Sequence, residues 1–142
     1  MQVTGKCHCG RISYRAKIDL EKISLCHCTD CQTLTGCAYR VSAKIPVGDF
    51  DLLSGHPKIY IKTADSGAKR KQAFCEDCGT PLYAEAFENP KVRSLRVGSI
   101  EQRALLTPRQ QIWCRSALPW SENISDIAPK YAEQEAPARG WR

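Results

Sequence analysis

Cys26-His27-Cys28-Thr29-Asp30-Cys31 places three thiols within six residues, in the spacing C-x-C-x-x-C. Two shorter motifs flank it: Cys7-His8-Cys9 upstream and Cys75-Glu76-Asp77-Cys78 downstream. Seven of the nine cysteines lie in these three clusters. A thiolate is a soft ligand suited to zinc. Structural zinc takes four protein ligands, whereas catalytic zinc keeps one position open. Seven thiols divide as four plus three, so the pattern points to one closed site and one open site, with two Zn²⁺ per chain.

A C-x-C and a distant C-x-x-C suit a closed site, with Cys7 and Cys9 joining Cys75 and Cys78. A competing assignment, which spacing alone does not exclude, pairs Cys75 and Cys78 with Cys26, Cys28 or Cys31. Three local thiolates can cap one face of a tetrahedron and leave the other free. Such a centre is net anionic, a poor Lewis acid for making hydroxide. It is better suited to keeping a fourth thiolate ionised, which makes a thiol-bearing substrate its natural fourth ligand. The other reading is a second structural site completed by Cys37 or a histidine.

His8 and His27 each sit between two cysteines. In an extended C-x-C the middle residue faces away from a metal held by its neighbours. His27 is then a substrate-facing or supporting residue, and His8 a backbone-bonded one. His56 reads as a loop residue. Cys37 and Cys114 read as small buried hydrophobes, Cys37 close enough to Cys31 to border the open site. Trp113 and Trp120 read as core or pocket wall.

The elements that must carry these residues are mostly short strands. Arg11 to Ala16 alternates, with Ile12, Tyr14 and Ala16 on one face. Ile18 to Leu25 reads as a loop entering a strand. Thr29 is placed to cap a short helix through Leu34, ended by Gly36. Cys37 to Ile45 alternates, with Tyr39, Val41, Ala43 and Ile45 on one side, and Pro46 stops it. Further strands are expected at 50–53, 58–62, 71–74, 82–86, 94–100 and 111–114, with a helical turn at 123–128. Gly79 suits the positive φ of a metal-binding turn. No repeat or internal boundary divides the chain. One domain is expected over 1–128, its core at about 3–120, with a frayed tail over 129–142 that includes Trp141.

At 142 residues, 42% of them hydrophobic and 25% charged, the chain fits one soluble domain. No apolar run approaches the roughly 20 residues of a membrane helix. The start lacks an apolar leader region, so a reducing, cytoplasmic setting is expected, where clustered cysteines serve metals rather than disulfides. The net charge of +6 is spread out, and Lys69-Arg70-Lys71 is the one run of three. Without interleaved aromatics this reads as a solvated surface, and nucleic acid is not the expected partner.

Taken together, Gly5-Lys6-Cys7-His8-Cys9-Gly10, Cys26-His27-Cys28-Thr29-Asp30-Cys31 and Phe74-Cys75-Glu76-Asp77-Cys78-Gly79-Thr80 resemble the glutathione-dependent formaldehyde-activating enzyme family, also called the centromere protein V family. Val97-Gly98-Ser99-Ile100, Ile112-Trp113 and Trp120 fit its later pattern. The resemblance covers about residues 3–120. It implies a mainly β, Mss4-like β-tent of short antiparallel strands around zinc knuckles. It implies Cys7, Cys9, Cys75 and Cys78 as structural zinc ligands, and Cys26, Cys28 and Cys31 as catalytic zinc ligands. The activity it implies is condensation of formaldehyde with glutathione to S-hydroxymethylglutathione, a carbon–sulfur lyase reaction. His27 or a water would move the proton. The chain departs from the family where Gln111 replaces a usual histidine and Cys37 a usual small residue. A reading from another class is a non-catalytic zinc module for protein or nucleic acid.

Overall fold

Alternation of apolar and polar residues builds two sheets whose apolar faces meet. The structure, a computed structural model, describes residues 1–133. The tail expectation for 134–142, Trp141 included, lies outside the described residues. In the smaller sheet, β1 (Gln2–Lys6), β2 (Ser13–Lys17) and β5 (Phe50–Ser54) run antiparallel in the order β1-β2-β5. The larger sheet uses β3 (Ile23–Cys26), β4 (Arg40–Pro46), β6 (Lys58–Thr63), β7 (Lys69–Phe74), β8 (Pro81–Ala86), β9 (Val92–Arg96) and β10 (Gln110–Ile112). Its order is β10-β3-β4-β9-β8-β7-β6; among the described residues the β10–β3 pair is parallel and the other pairs antiparallel. Short antiparallel strands therefore dominate, as expected.

The core lies between the sheets. Val3, Tyr14 and Ala16 face Ile23, Ala43, Ile45 and Leu95, all buried. Tyr14 stacks on Phe50 at 5.0 Å and its hydroxyl meets Ser99 Oγ at 2.6 Å. Arg93 enters this layer over the rings of Phe50 and Tyr83. Its Nε and Nη2 both donate to buried Glu85. A buried charge is tolerable when paired in this way.

β1 was not expected. Its two inward positions are Val3 and Gly5, too little alternation to read as a strand. Gly5 is opposite Tyr14 in the register, and a Cβ there would sit 2.1 Å from the tyrosine ring. Gly5→Ala should therefore cost about 1–3 kcal/mol through overpacking. A urea melt should show a lower midpoint, and an unchanged midpoint would contradict this packing.

One helix, α1 (Thr29–Thr35), joins β3 to β4. Gly36 ends it in the left-handed region at φ 62°, as expected. The N-cap, however, is Cys28 and not Thr29: its sulfur accepts the Cys31 N–H at 3.4 Å. The expected strand at 94–100 stops at Arg96 and turns through Val97–Ser99. The helical turn near 123–128 falls earlier, as 3-10 turns over Pro119–Asp126 with a kink at Asn123. Trp113 and Trp120 are 52% and 55% exposed, so neither is core. Trp113 has φ 59° where β10 ends, and Arg115 covers its ring at 4.9 Å.

Candidate metal centres

Two turns bring the first cluster together. The Cys7–Gly10 turn closes with Gly10 N–H to Cys7 O, and Ile12 N–H donates to Cys7 Sγ at 3.3 Å. The Cys75–Gly79 turn closes with Gly79 N–H to Cys75 O at 2.8 Å, and Gly79 takes φ 74°. Thr80 joins the two turns. Its Oγ1 accepts the His8 N–H at 3.0 Å and lies 3.1 Å from Cys78 Sγ. The hydroxyl proton is then free to donate to that sulfur. This bond, with backbone N–H groups of Cys9 and Thr80, holds the Cys78 thiol down at about 5.

The sulfurs of Cys7, Cys9, Cys75 and Cys78 all lie within 4.8 Å of one another. Cys7 and Cys9 are 3.5 Å apart, and Cys9 and Cys75 3.8 Å, across 66 residues of chain. Four sulfurs about 2.3 Å from one zinc lie about 3.8 Å apart in a tetrahedron. The donor set fits that ion. Of the pairings that spacing left open, the structure places Cys75 and Cys78 with Cys7 and Cys9.

Cys26, Cys28 and Cys31 form a separate group, again within 4.8 Å of one another. Cys26 ends β3, Cys28 caps α1 and Cys31 lies in its first turn. No other His, Cys, Asp or Glu joins the group among the described residues. The C-terminal segment braces it. His27 N–H donates to Ile112 O on β10, and Gln32 Nε2 donates to His27 O and Ser116 O.

Arg40 donates through Nε and Nη2 to Cys31 Sγ, at 3.3 and 3.2 Å. Burial pushes the Cys31 thiol up, but these bonds and the Arg40 charge bring it below the ordinary value. Burial pushes Cys26 up to about 12. Cys31 therefore gives up its proton before Cys26, and a divalent metal would displace the proton of either.

His27 is 3% exposed, with its ring edge toward Tyr39. Nε2 lies 2.8 Å from Gln111 Oε1, so with the amide oriented this way Nε2 donates. Nδ1 is then a buried acceptor without a partner among the described residues. His8, by contrast, is exposed; its backbone N–H donates to Thr80 Oγ1, and its side chain makes no hydrogen bond among the described residues. His56 is an exposed loop residue, as expected. Cys37 and Cys114 are both exposed rather than buried, and neither joins a group of thiols. Cys37 follows Gly36, the left-handed residue that ends the helix.

A cavity of about 800 Å³ opens beside Arg40, lined also by Tyr39, Arg96, Ser99, Arg103 and Leu106. A second, about 400 Å³, lies between Arg40, Arg96, Gln72 and Tyr60. The three thiols line neither, and Arg40 is the link between sulfur and cavity. Arg96 is 9% exposed, with Nη1 donating to Ser42 Oγ and Nη2 to Gln72 Oε1. Burial, then the Arg40 charge, push its pKa down to about 9. The motifs pointed to neither arginine. The available signal was alternation in β4, which puts Arg40 and Ser42 opposite Val41 and Ala43.

The family profile described as glutathione-dependent formaldehyde-activating enzyme matches residues 2–116. Comparison with curated proteins finds no match. A crystal structure of a Rhodobacter sphaeroides protein is similar, with 19% identity and a TM-score of 0.58. The match covers 76% of this chain and 98% of that one. That likeness concerns the fold alone. No helix among the described residues is long and apolar enough to cross a membrane. The match over residues 2–116 places the chain in the glutathione-dependent formaldehyde-activating enzyme family.

Proposed function

We propose that the protein is a zinc-dependent, cytoplasmic carbon–sulfur lyase-type enzyme acting on a glutathione-like thiol adduct, in the manner of an S-hydroxymethylglutathione synthase. The observation that carries this reading is the three-thiol group, separate from the four-thiol group and without a fourth ligand among the described residues. Cys7, Cys9, Cys75 and Cys78 would hold a structural zinc. Cys26, Cys28 and Cys31 would hold a second, which when bound would keep a substrate thiol ionised near neutral pH.

The chain's own residues have separable tasks in this reading. Arg40 offsets the negative charge gathered at Cys31 through its two bonds to the sulfur. Gln32 and the His27 backbone fix the loop against β10. In the condensation, a sulfur–carbon bond forms as the aldehyde π bond breaks. The thiol proton ends on the new hydroxyl oxygen. His27 is the proposed proton carrier, because Nδ1 is its unengaged nitrogen.

The test follows exchange between glutathione and ¹³C-formaldehyde by NMR. Zinc-loaded protein should accelerate formation of the hydroxymethyl thioether over the uncatalysed rate. His27→Gln should slow exchange by about 10²–10⁴-fold while leaving zinc content unchanged. No acceleration by fully loaded protein would overturn the proposed activity.

A further inference from the structure

The face of the large sheet that carries Cys26 holds more positive charge than its surroundings neutralise. Side chains of directly paired residues share a sheet face. The register pairs Cys26 with Arg40, Ser42 with Arg96, and Arg70 with Lys62. It also links Ser94, Ala84 and Gln72, and the Arg96–Gln72 hydrogen bond confirms the shared side. Six cations therefore share the face of Cys26: Arg40, Arg96, Arg70 and Lys62, none of them exposed, and the exposed Lys44 and Lys58.

Of the four that are not exposed, two are engaged by α1. Lys62 pairs with Asp30 of α1, and Arg40 meets Cys31 Sγ. Among the described residues Arg96, nine-tenths buried, hydrogen-bonds through its side chain to only the neutral acceptors Ser42 and Gln72. Half-buried Arg70 forms no ion pair among the described residues. On the opposite face, β9 supplies the contrast: Arg93 is neutralised by buried Glu85. A buried guanidinium without a carboxylate, lining cavities of about 800 and 400 Å³, is left for an anion from outside.

We propose that Arg96 and Arg70 form a carboxylate-recognition subsite beside the three-thiol centre, through which the protein selects carboxylate-bearing thiols over neutral ones. This rests on the proposed thiol chemistry for its choice of ligand. The planar guanidinium of Arg96 offers paired N–H donors that match a carboxylate, and Arg70 adds a second positive charge. Both are positioning residues, since they grip the substrate away from its sulfur.

The experiment is calorimetric titration of the zinc-loaded chain with S-methylglutathione, which keeps both carboxylates but has no thiol, and with its diethyl ester. The acid should bind tenfold to a hundredfold more tightly than the ester. Arg96→Gln should remove that preference and leave ester binding unchanged, and Arg96→Lys should restore part of it. Arg70→Gln, half-buried and safer for folding, should reduce the preference by about tenfold and decides the matter should Arg96→Gln not fold. Absence of acid binding, equal binding of acid and ester, or a preference untouched in both Gln variants would overturn the subsite. Because the probe lacks a thiol, these outcomes are independent of whether a substrate sulfur reaches the metal.

Discussion

Cys75→Ser is expected to yield insoluble or unfolded protein. Cys75 is 1% exposed, and its sulfur lies 3.8 Å from Cys9 Sγ. Through this cluster the turn between β1 and β2 is tied to the turn between β7 and β8, and so the small sheet to the large one. Zinc bound by such a set contributes roughly 10–16 kcal/mol of apparent binding energy in small zinc modules. The total stability of a domain is only about 5–15 kcal/mol. Losing one buried ligand should therefore exceed what the apolar core can offset. Soluble expression and circular dichroism decide this, and a variant that melts like wild type would show that the four thiols are not the clamp.

Cys28→Ser should behave in the opposite way. It should melt close to wild type, bind about one zinc fewer and lose the thiol chemistry. Cys28 has two tasks, one in the thiol group and one as N-cap of α1. Serine is among the best N-cap residues, so the substitution removes a metal ligand while keeping a cap. The three ligands span only residues 26–31, so losing their metal frees no distant segment. The four-thiol site would continue to join the sheets. Metal analysis and thermal melting side by side read both effects. Equal zinc content, or a collapsed melting temperature, would place the triplet in the scaffold.

The contrast between these variants restates what spacing already made legible. Seven clustered cysteines divide as four plus three because local spacing limits how many sulfurs one turn can aim at one point. Which distant pair joins Cys75 and Cys78 was not legible. That choice depends on how β1, β2, β7 and β8 assemble, not on either motif. Alternation exposed β2 and β4 because their inward positions are large or branched: Tyr14, Val41, Ile45. It hid β1, where Gly5 faces inward to admit the Tyr14 ring.

The cationic face was hidden for a related reason. In β4, Arg40, Ser42 and Lys44 read as the solvent side, and Lys44 is indeed exposed. Arg40 and Ser42 are buried because Cys31 on α1 meets the Arg40 guanidinium and Arg96 reaches across to Ser42. A two-residue period distinguishes faces but not whether something covers the polar one. The same limit misplaced Trp113 and Trp120. Size and apolarity argue for burial, while the 3-10 turns after β10 keep both indoles at the surface.

In the proposed reaction the three-thiol centre takes the sulfur of its substrate as a further ligand. Glutathione titrated into cobalt-loaded protein tests it most directly, because thiolate-to-cobalt absorption reports sulfur ligation. Wild type should show a saturable rise in that absorption, equivalent to one added thiolate per chain, and Cys28→Ser none. A wild-type spectrum that does not respond to glutathione, or an equal response in Cys28→Ser, would contradict it.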